Sequence, residues 1–318
     1  MKGLKLSGAG YAVPGTCFRN DDFSPHLDTG DEWIRQRTGI RTRYFCRDPY
    51  GNMPGETNAS LAVSAAKRAL ADAQAEAMDI SLIVCATSTP DGAMPSVACQ
   101  VQKALGVPAG VPAMDLNSAC TGFEYALSAA YCILCMTRQQ RYALVIGADA
   151  MSKILDFRDR STCVLFGDGA GAAVVRTEDP ENYPCHFHLG AEGDTEALYT
   201  DEDGKLHMEG KKVFRFAVSK IQKELDFLEN VHGIPASGID HIICHQANSR
   251  ILDFVKRHRH LRNGQIFMDL DRFGNTGAAS VPVALADMKR QGLLREGESI
   301  FLVGFGGGLT WGSVYLKV

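Results

Sequence analysis

Short aliphatic and β-branched runs alternate along this chain with longer segments of helical periodicity. Residues 80–85, 142–147, 239–244 and 299–304 carry little polar alternation and read as strands buried on both faces. The stripe Leu61, Ala65, Leu70 predicts a helix over 57–74, and further helices are expected over 121–137, 213–228 and 280–291. Strands alternating with helices predict an α/β architecture with mostly parallel sheet. The hydrophilic stretch 195–212 predicts a surface excursion before the helix that starts near Val213.

The pattern also repeats. Residues 80–85 resemble 239–244, residues 114–123 resemble 268–277, and residues 142–147 resemble 299–304, in the same order in both halves. A duplicated unit is expected, with halves 1–176 and 177–318 related by a pseudo-twofold axis. Such halves bury their central helices between two sheets. The Ala- and Gly-rich segments 121–130 and 277–285 suit that place, with Glu124 as the charged exception. In the second copy Asn275 precedes Thr276-Gly277 as Cys120 precedes Thr121-Gly122 in the first, so the symmetry sets a nucleophile opposite a hydrogen-bonding group.

Composition narrows the function classes. The 318 residues allow a sizeable core, and a net charge of -4 gives no general basic field, so nucleic acid is not an expected partner. No run approaches the ~20 apolar residues of a membrane span, and Met1-Lys2-Gly3-Leu4 opens without a signal-peptide pattern, so a cytoplasmic location without membrane contact is expected. Ten irregularly spaced cysteines then read as reduced thiols. Cys132 and Cys135 have Cys-x-x-Cys spacing but no second pair, and neither metal nor cofactor is expected. Charge clusters only locally, at Lys211, Lys212 and Arg215 and again at Arg250, Lys256, Arg257, Arg259 and Arg262.

Three polar positions interrupt the buried pattern. The turn from Asp115 to Gly122 sets Cys120 at the start of an Ala-rich helix. There the helix dipole favours the thiolate, and a pKa moved from ~8.5 towards ~3.5–7.5 is expected. His245 follows the strand 239–244, at the strand end where open α/β sheets gather ligands. Gly304-Phe305-Gly306-Gly307-Gly308 implies close backbone approach, and its N–H groups are placed to stabilise an oxyanion.

Together Ala119-Cys120-Thr121-Gly122-Phe123, His245-Gln246-Ala247-Asn248, Gly274-Asn275-Thr276 and the segment from Gly304 to Ser313 resemble the β-ketoacyl-acyl-carrier-protein synthase III family. The segments 31–40 and 166–172 are similar to that family as well. The resemblance implies the thiolase-like duplicated α-β-α-β-α layered fold. It implies an acyltransferase that condenses an acyl-CoA primer, by default acetyl-CoA, with malonyl-acyl-carrier protein and releases carbon dioxide, initiating fatty acid synthesis. Cys120 is then the nucleophile, His245 and Asn275 donate to the malonyl thioester oxygen, and the amides of Cys120 and Gly307 form an oxyanion hole. Trp33, Arg37, Arg160, Phe214 and Asn248 correspond to CoA contacts, and Arg215, Gln246, Arg250, Lys256 and Arg257 to the carrier-protein surface. Phe166 and Met94 correspond to the acyl pocket, with Met94 reaching it from the partner of a homodimer. The alternatives are an acyltransferase that passes a Cys120-bound acyl group to a small acceptor, a starter-unit condensing enzyme of a secondary pathway, and a non-catalytic partner subunit.

Overall fold

Each half of the chain builds one main sheet and one two-stranded pair. The computed structural model describes residues 2–25, 27–48, 51, 55–136 and 141–318. The first half comprises β1 (Gly3–Ala12), β2 (Cys17–Arg19), α1 (Asp31–Thr38), β3 (Thr42–Tyr44), α2 (Asn58–Ala73), β4 (Ile80–Ala86), α3 (Val97–Leu105), β5 (Ala113–Leu116), α4 (Gly122–Met136), β6 (Tyr142–Ala150) and β7 (Asp168–Glu178). The second comprises β8 (Cys185–Ala191), β9 (Leu198–Thr200), β10 (Leu206–Met208), α5 (Gly210–His232), β11 (His241–Cys244), α6 (Ser249–His258), α7 (Leu270–Phe273), α8 (Ser280–Arg290), β12 (Ser299–Gly306) and β13 (Thr310–Lys317).

The two main sheets share one strand order over four strands, and the first has a fifth. The first runs β5-β4-β6-β7-β1, parallel as far as β6 and antiparallel beyond it. The second runs β11-β12-β13-β8, again with one parallel pair followed by antiparallel pairs. Beside β11, where β5 stands beside β4, a single parallel bridge joins Ile242 to Ile266. That bridge is the remnant of the fifth strand, and it leads into the Met268 copy of the Met114 segment. The expected boundary after residue 176 falls inside β7, because Thr177 and Glu178 stay paired with Leu4 and Gly3. The chain leaves the first sheet only after Glu178.

Side-chain alternation along the strands sorts the core into layers. On β4, Ile83 and Cys85 face Leu61, Ala65 and Val101 of α2 and α3, while Leu82, Val84 and Ala86 face inwards. On β12, Phe301 and Val303 face Ile221, Leu225 and Val255 of α5 and α6, while Ile300 and Leu302 face inwards. The inward sets enclose Phe123, Leu127 and Ala130 of α4 and Val281, Ala284 and Leu285 of α8. The result is the layered α-β-α-β-α order. Ala119–Met136 is the one segment among the described residues that is apolar and long enough to cross a membrane, and it lies in this middle layer.

Local signals set the helix ends. Thr57 Oγ1 accepts the Ser60 N–H at 3.2 Å and caps α2, which closes on Gln74 as expected. The expected end of the α4 segment at Thr137 lies outside the described residues. α5 starts at Gly210, ahead of the expected Val213, and the polar stretch before it holds the β9/β10 hairpin.

Candidate active site

The turn from β5 into α4 presents the cysteine. Asn117 Oδ1 accepts the Ala119 N–H at 3.0 Å, and Ala119 is held at φ +48°, a left-handed conformation that costs energy for any residue with a Cβ. Cys120 follows it, buried, lining an apolar cavity of about 120 Å³ together with His245 and Asn275. A second cavity of about 270 Å³ is lined by Cys120 together with Gly307, Met151 and Leu206. Strand β12 passes so close that a Cβ on Gly306 would lie 2.8 Å from the Cys120 nitrogen and 3.0 Å from its Cβ. Only glycine fits there.

Electrostatics at the cysteine run against the sequence expectation. Burial pushes the Cys120 thiol up to about 12, and the Asp149 and Glu124 carboxyls add to the rise. Removing a thiolate from water outweighs the favourable peptide dipoles of the helix start, so the resting group is a thiol. Asp149 accepts the Ser88 and Ala278 N–H groups at 2.8 and 2.7 Å, tying the end of β6 to the segment that leads into α8. Glu124 is fully buried, with neither carboxyl oxygen hydrogen-bonded, and burial pushes its pKa up to about 8.

Glu124 therefore links stability to pH. Between its unfolded value near 4.5 and about 8 the folded protein holds a proton that the unfolded chain releases. Stability from this group is present below that window and is lost as pH rises through it. Glu124→Gln should flatten this part of the melting temperature profile between pH 5 and 8.5, removing a dependence on the order of a few kcal/mol. An unchanged slope in the variant would show that Glu124 is not protonated in the fold.

The other two polar groups are fixed as donors. His245 leaves β11 with its N–H on Val303 O at 2.7 Å, and its ring meets Phe305 edge-on at 5.0 Å. Its Nδ1 lies 2.5 Å from Ser280 Oγ, which already accepts the Gln246 N–H at 3.3 Å. The Ser280 hydroxyl has one proton to give, and with it on Nδ1 the imidazole proton sits on Nε2, facing away from the serine. Burial lowers the His245 pKa to about 3, so the ring is neutral. Asn275 has its backbone clamped between Leu165 O and the Gly167 N–H, both at 2.9 Å, and its Oδ1 accepts the Gly277 N–H at 3.0 Å. With Oδ1 occupied, Nδ2 is the group left for the cavity. Ser280 was not legible as a site residue, since it reads as one polar position on an apolar helix.

The remaining expected residues fall into three groups. Trp33 and Arg37 on α1 come together with Arg160, the two guanidinium carbons lying 4.3 and 5.1 Å from the indole centre. Phe214 and Asn248 line the smaller cavity, and Asn248 Nδ2 donates to Arg37 O at 3.1 Å. Phe166 lines both cavities. Arg215, Arg250 and Arg257 are exposed and Lys256 is half-buried, on α5 and α6, the helices whose Phe214 and Ile251 line the smaller cavity. Gln246 does not join them. It is buried, with Nε2 on Cys244 O at 2.8 Å and Oε1 on the Asp269 N–H at 3.2 Å, so its amide is used inside the fold and meets no surface partner. Met94 is 85% exposed and lines neither cavity of its own chain.

The chain is similar to known proteins in sequence and in fold. Residues 114–193 match the family described as 3-oxoacyl-[acyl-carrier-protein] synthase III, and residues 230–318 match its C-terminal counterpart. The β-ketoacyl-[acyl-carrier-protein] synthase III of Clostridium acetobutylicum is 40% identical over 332 residues, covering 100% of this chain and 99% of that protein. The enzyme of that name from Rhodospirillum rubrum is 40% identical over 98% of both. The crystal structure of 3-oxoacyl-[acyl-carrier-protein] synthase III from Aquifex aeolicus superposes with a TM-score of 0.93 at 37% identity, covering 99% of this chain and 100% of that one. With family matches in both halves and relatives aligned end to end, this chain belongs to the 3-oxoacyl-[acyl-carrier-protein] synthase III family.

Proposed function

We propose that the protein condenses an acyl-CoA primer with malonyl-acyl-carrier protein, releasing carbon dioxide and forming 3-oxoacyl-acyl-carrier protein, the opening step of fatty acid synthesis. One observation carries this reading: two neutral donors, His245 Nε2–H and Asn275 Nδ2–H, line one cavity with Cys120 and are fixed by Ser280 and the Gly277 N–H. Decarboxylation places negative charge on the thioester oxygen only as the bond breaks, so preset donors favour that step selectively.

The chemistry proceeds in two halves. The Cys120 sulfur attacks the acyl-CoA carbonyl, and the oxyanion is held by the amides of Cys120 and Gly307. Collapse expels CoA, whose sulfur takes up the proton that the Cys120 thiol gives up on attack. Malonyl-carrier protein then loses carbon dioxide. Its enolate oxygen rests on His245 and Asn275, and its carbon attacks the acyl-cysteine, returning the thiolate, which is reprotonated. Intact-protein mass spectrometry after exposure to an acyl-CoA panel tests the first half: an acyl adduct on Cys120 is expected, and no adduct with any of them would remove the reading.

The surface supports the rest. Trp33 with Arg160 and Arg37 suits an adenine ring and a phosphate group, and Phe214 and Asn248 suit the pantetheine arm between them and Cys120. Arg215, Arg250, Lys256 and Arg257 form a cationic rim for an acidic carrier protein. Arg250→Glu should raise the KM for malonyl-carrier protein by about tenfold at low salt, less at high salt, and leave Cys120 acylation nearly unchanged. Equal loss in both steps would remove this role. A homodimer is supported by the free edge of β5: Asp115 on that strand accepts the Val97 and Ala98 N–H groups at 2.7 and 2.8 Å, which sets the exposed Met94 segment close to it. In that dimer Met94 reaches the partner's acyl pocket. The ten free thiols fit a cytoplasmic location.

A further inference from the structure

We propose that Arg43 is a positioning residue for Asn275, acting through the backbone of residues 164–167 without touching substrate. This rests on the reading of Asn275 as a donor to the malonyl thioester oxygen. Arg43 lies at the centre of β3, completely buried. Its Nη1 donates to Asn20 Oδ1 at 2.7 Å and its Nη2 to the Val164 carbonyl at 2.6 Å, while the Phe23 ring lies 5.0 Å from the guanidinium carbon. Among the described residues no carboxylate is within ion-pairing distance of it. Burial lowers its pKa only to about 10, so it is a cation at neutral pH. Its Nε has no hydrogen-bond partner, so the two bonds from Nη1 and Nη2 offset only part of the cost of burying the cation.

They organise the donor. Val164 opens the segment to which Asn275 is clamped, by the Asn275 N–H on Leu165 O and the Gly167 N–H on Asn275 O, with Phe166 facing Asn275 in a parallel bridge. The arginine also packs beside the residue before Asn275. Gly274 sits at φ +68°, and a Cβ there would meet Leu165 O at 3.1 Å and the Arg43 Cβ at 3.4 Å. The Arg43 contact therefore fixes one side of the strand-like pair, and Asn275 is the other side. Beyond Asn20 the network continues through its Nδ2 to Ile40 O at 2.7 Å and to Asp31 Oδ1 at 2.8 Å. Asp31 opens α1, the helix that carries Trp33 and Arg37. One guanidinium thus joins the candidate nucleotide helix to the donor loop. A displacement of about 1 Å in a positioned group is enough to cost on the order of 100-fold in rate.

A double-mutant cycle tests this. Carbon dioxide release from malonyl-carrier protein and Cys120 acylation at saturating acyl-CoA are measured for Arg43→Lys, Asn275→Ala and the double variant. Arg43→Lys should lower the kcat of decarboxylation tenfold or more and change acylation less than threefold. On the Asn275→Ala background it should cost less than a further threefold, because the group it positions is gone. Equal fractional loss on both backgrounds, or equal loss in both half-reactions, overturns the proposal and marks Arg43 as a support of the fold only. Asn20→Ala, which keeps the arginine but frees Nη1, should show the same non-additivity in a weaker form and serves if the lysine variant does not fold. If Asn275→Ala alone leaves decarboxylation unchanged, the donor assignment itself fails, which is distinct from additivity between the two sites.

Discussion

Cys120→Ala should abolish the acyl-enzyme and lower condensation by on the order of 10⁴-fold or more, while decarboxylation of malonyl-carrier protein continues within a few-fold of the wild-type rate. The asymmetry follows from how the site is built. The cysteine is presented by the Ala119 turn and the approach of Gly306, whereas the donors are held by Ser280 and the Gly277 N–H, on segments of the other half. Removing one sulfur leaves the second set in place. Mass spectrometry of the protein and carbon dioxide release measured on the same preparation check the expectation. Loss of both activities in a folded variant would mean that the two functions are not separable.

The second large effect lies on the donors. Asn275→Ala and His245→Ala should each lower decarboxylation by about 10²–10³-fold, the usual consequence of removing one oxyanion donor. Cys120 acylation should fall much less. Ser280→Ala frees the His245 tautomer and should cost roughly tenfold in the same step, since orienting partners typically matter less than the donors themselves. The pH dependence has a definite sign. Burial lowers the His245 pKa from 6.5 to about 3, so the neutral Nε2–H donor persists as the pH falls through 6.5, and decarboxylation should show no limb there. Folding stability from this group has the same sense: it is full above 6.5 and is lost as pH falls towards 3. A limb near 6.5 that disappears in His245→Asn would show that the ring titrates at its ordinary value and is not held neutral by burial.

The residues that the sequence made legible are those whose environment repeats. Strands such as 80–85 and 299–304 are buried on both faces, and that needs only an unbroken apolar run, so their place was readable. The matched Met114 and Met268 segments lead into α4 and α8, and Cys120 and Asn275, which lie in them, line one cavity. What stayed hidden depends on contacts between distant segments. The fifth strand of the second sheet survives as one bridge at Ile266, because a single residue's pairing leaves no periodic signature. Gln246, next to His245, was grouped with the surface although its amide bonds Cys244 and Asp269 inside. The thiol of Cys120 was expected low on dipole grounds. Burial reverses this, and burial depth is a property of the folded chain. Arg43 and Ser280 act only through what they touch, so nothing in their own sequence marks them.

The central claim is that one protein joins the Cys120 acyl group to a decarboxylated malonyl unit. The most direct test supplies an acyl-CoA and malonyl-carrier protein labelled in the free carboxyl, and quantifies labelled carbon dioxide and 3-oxoacyl-carrier protein together. One carbon dioxide per 3-oxoacyl product in the wild type, with the product lost in Cys120→Ala while carbon dioxide release continues, is the predicted result. Acyl transfer from Cys120 to an acceptor with no carbon dioxide released would contradict it.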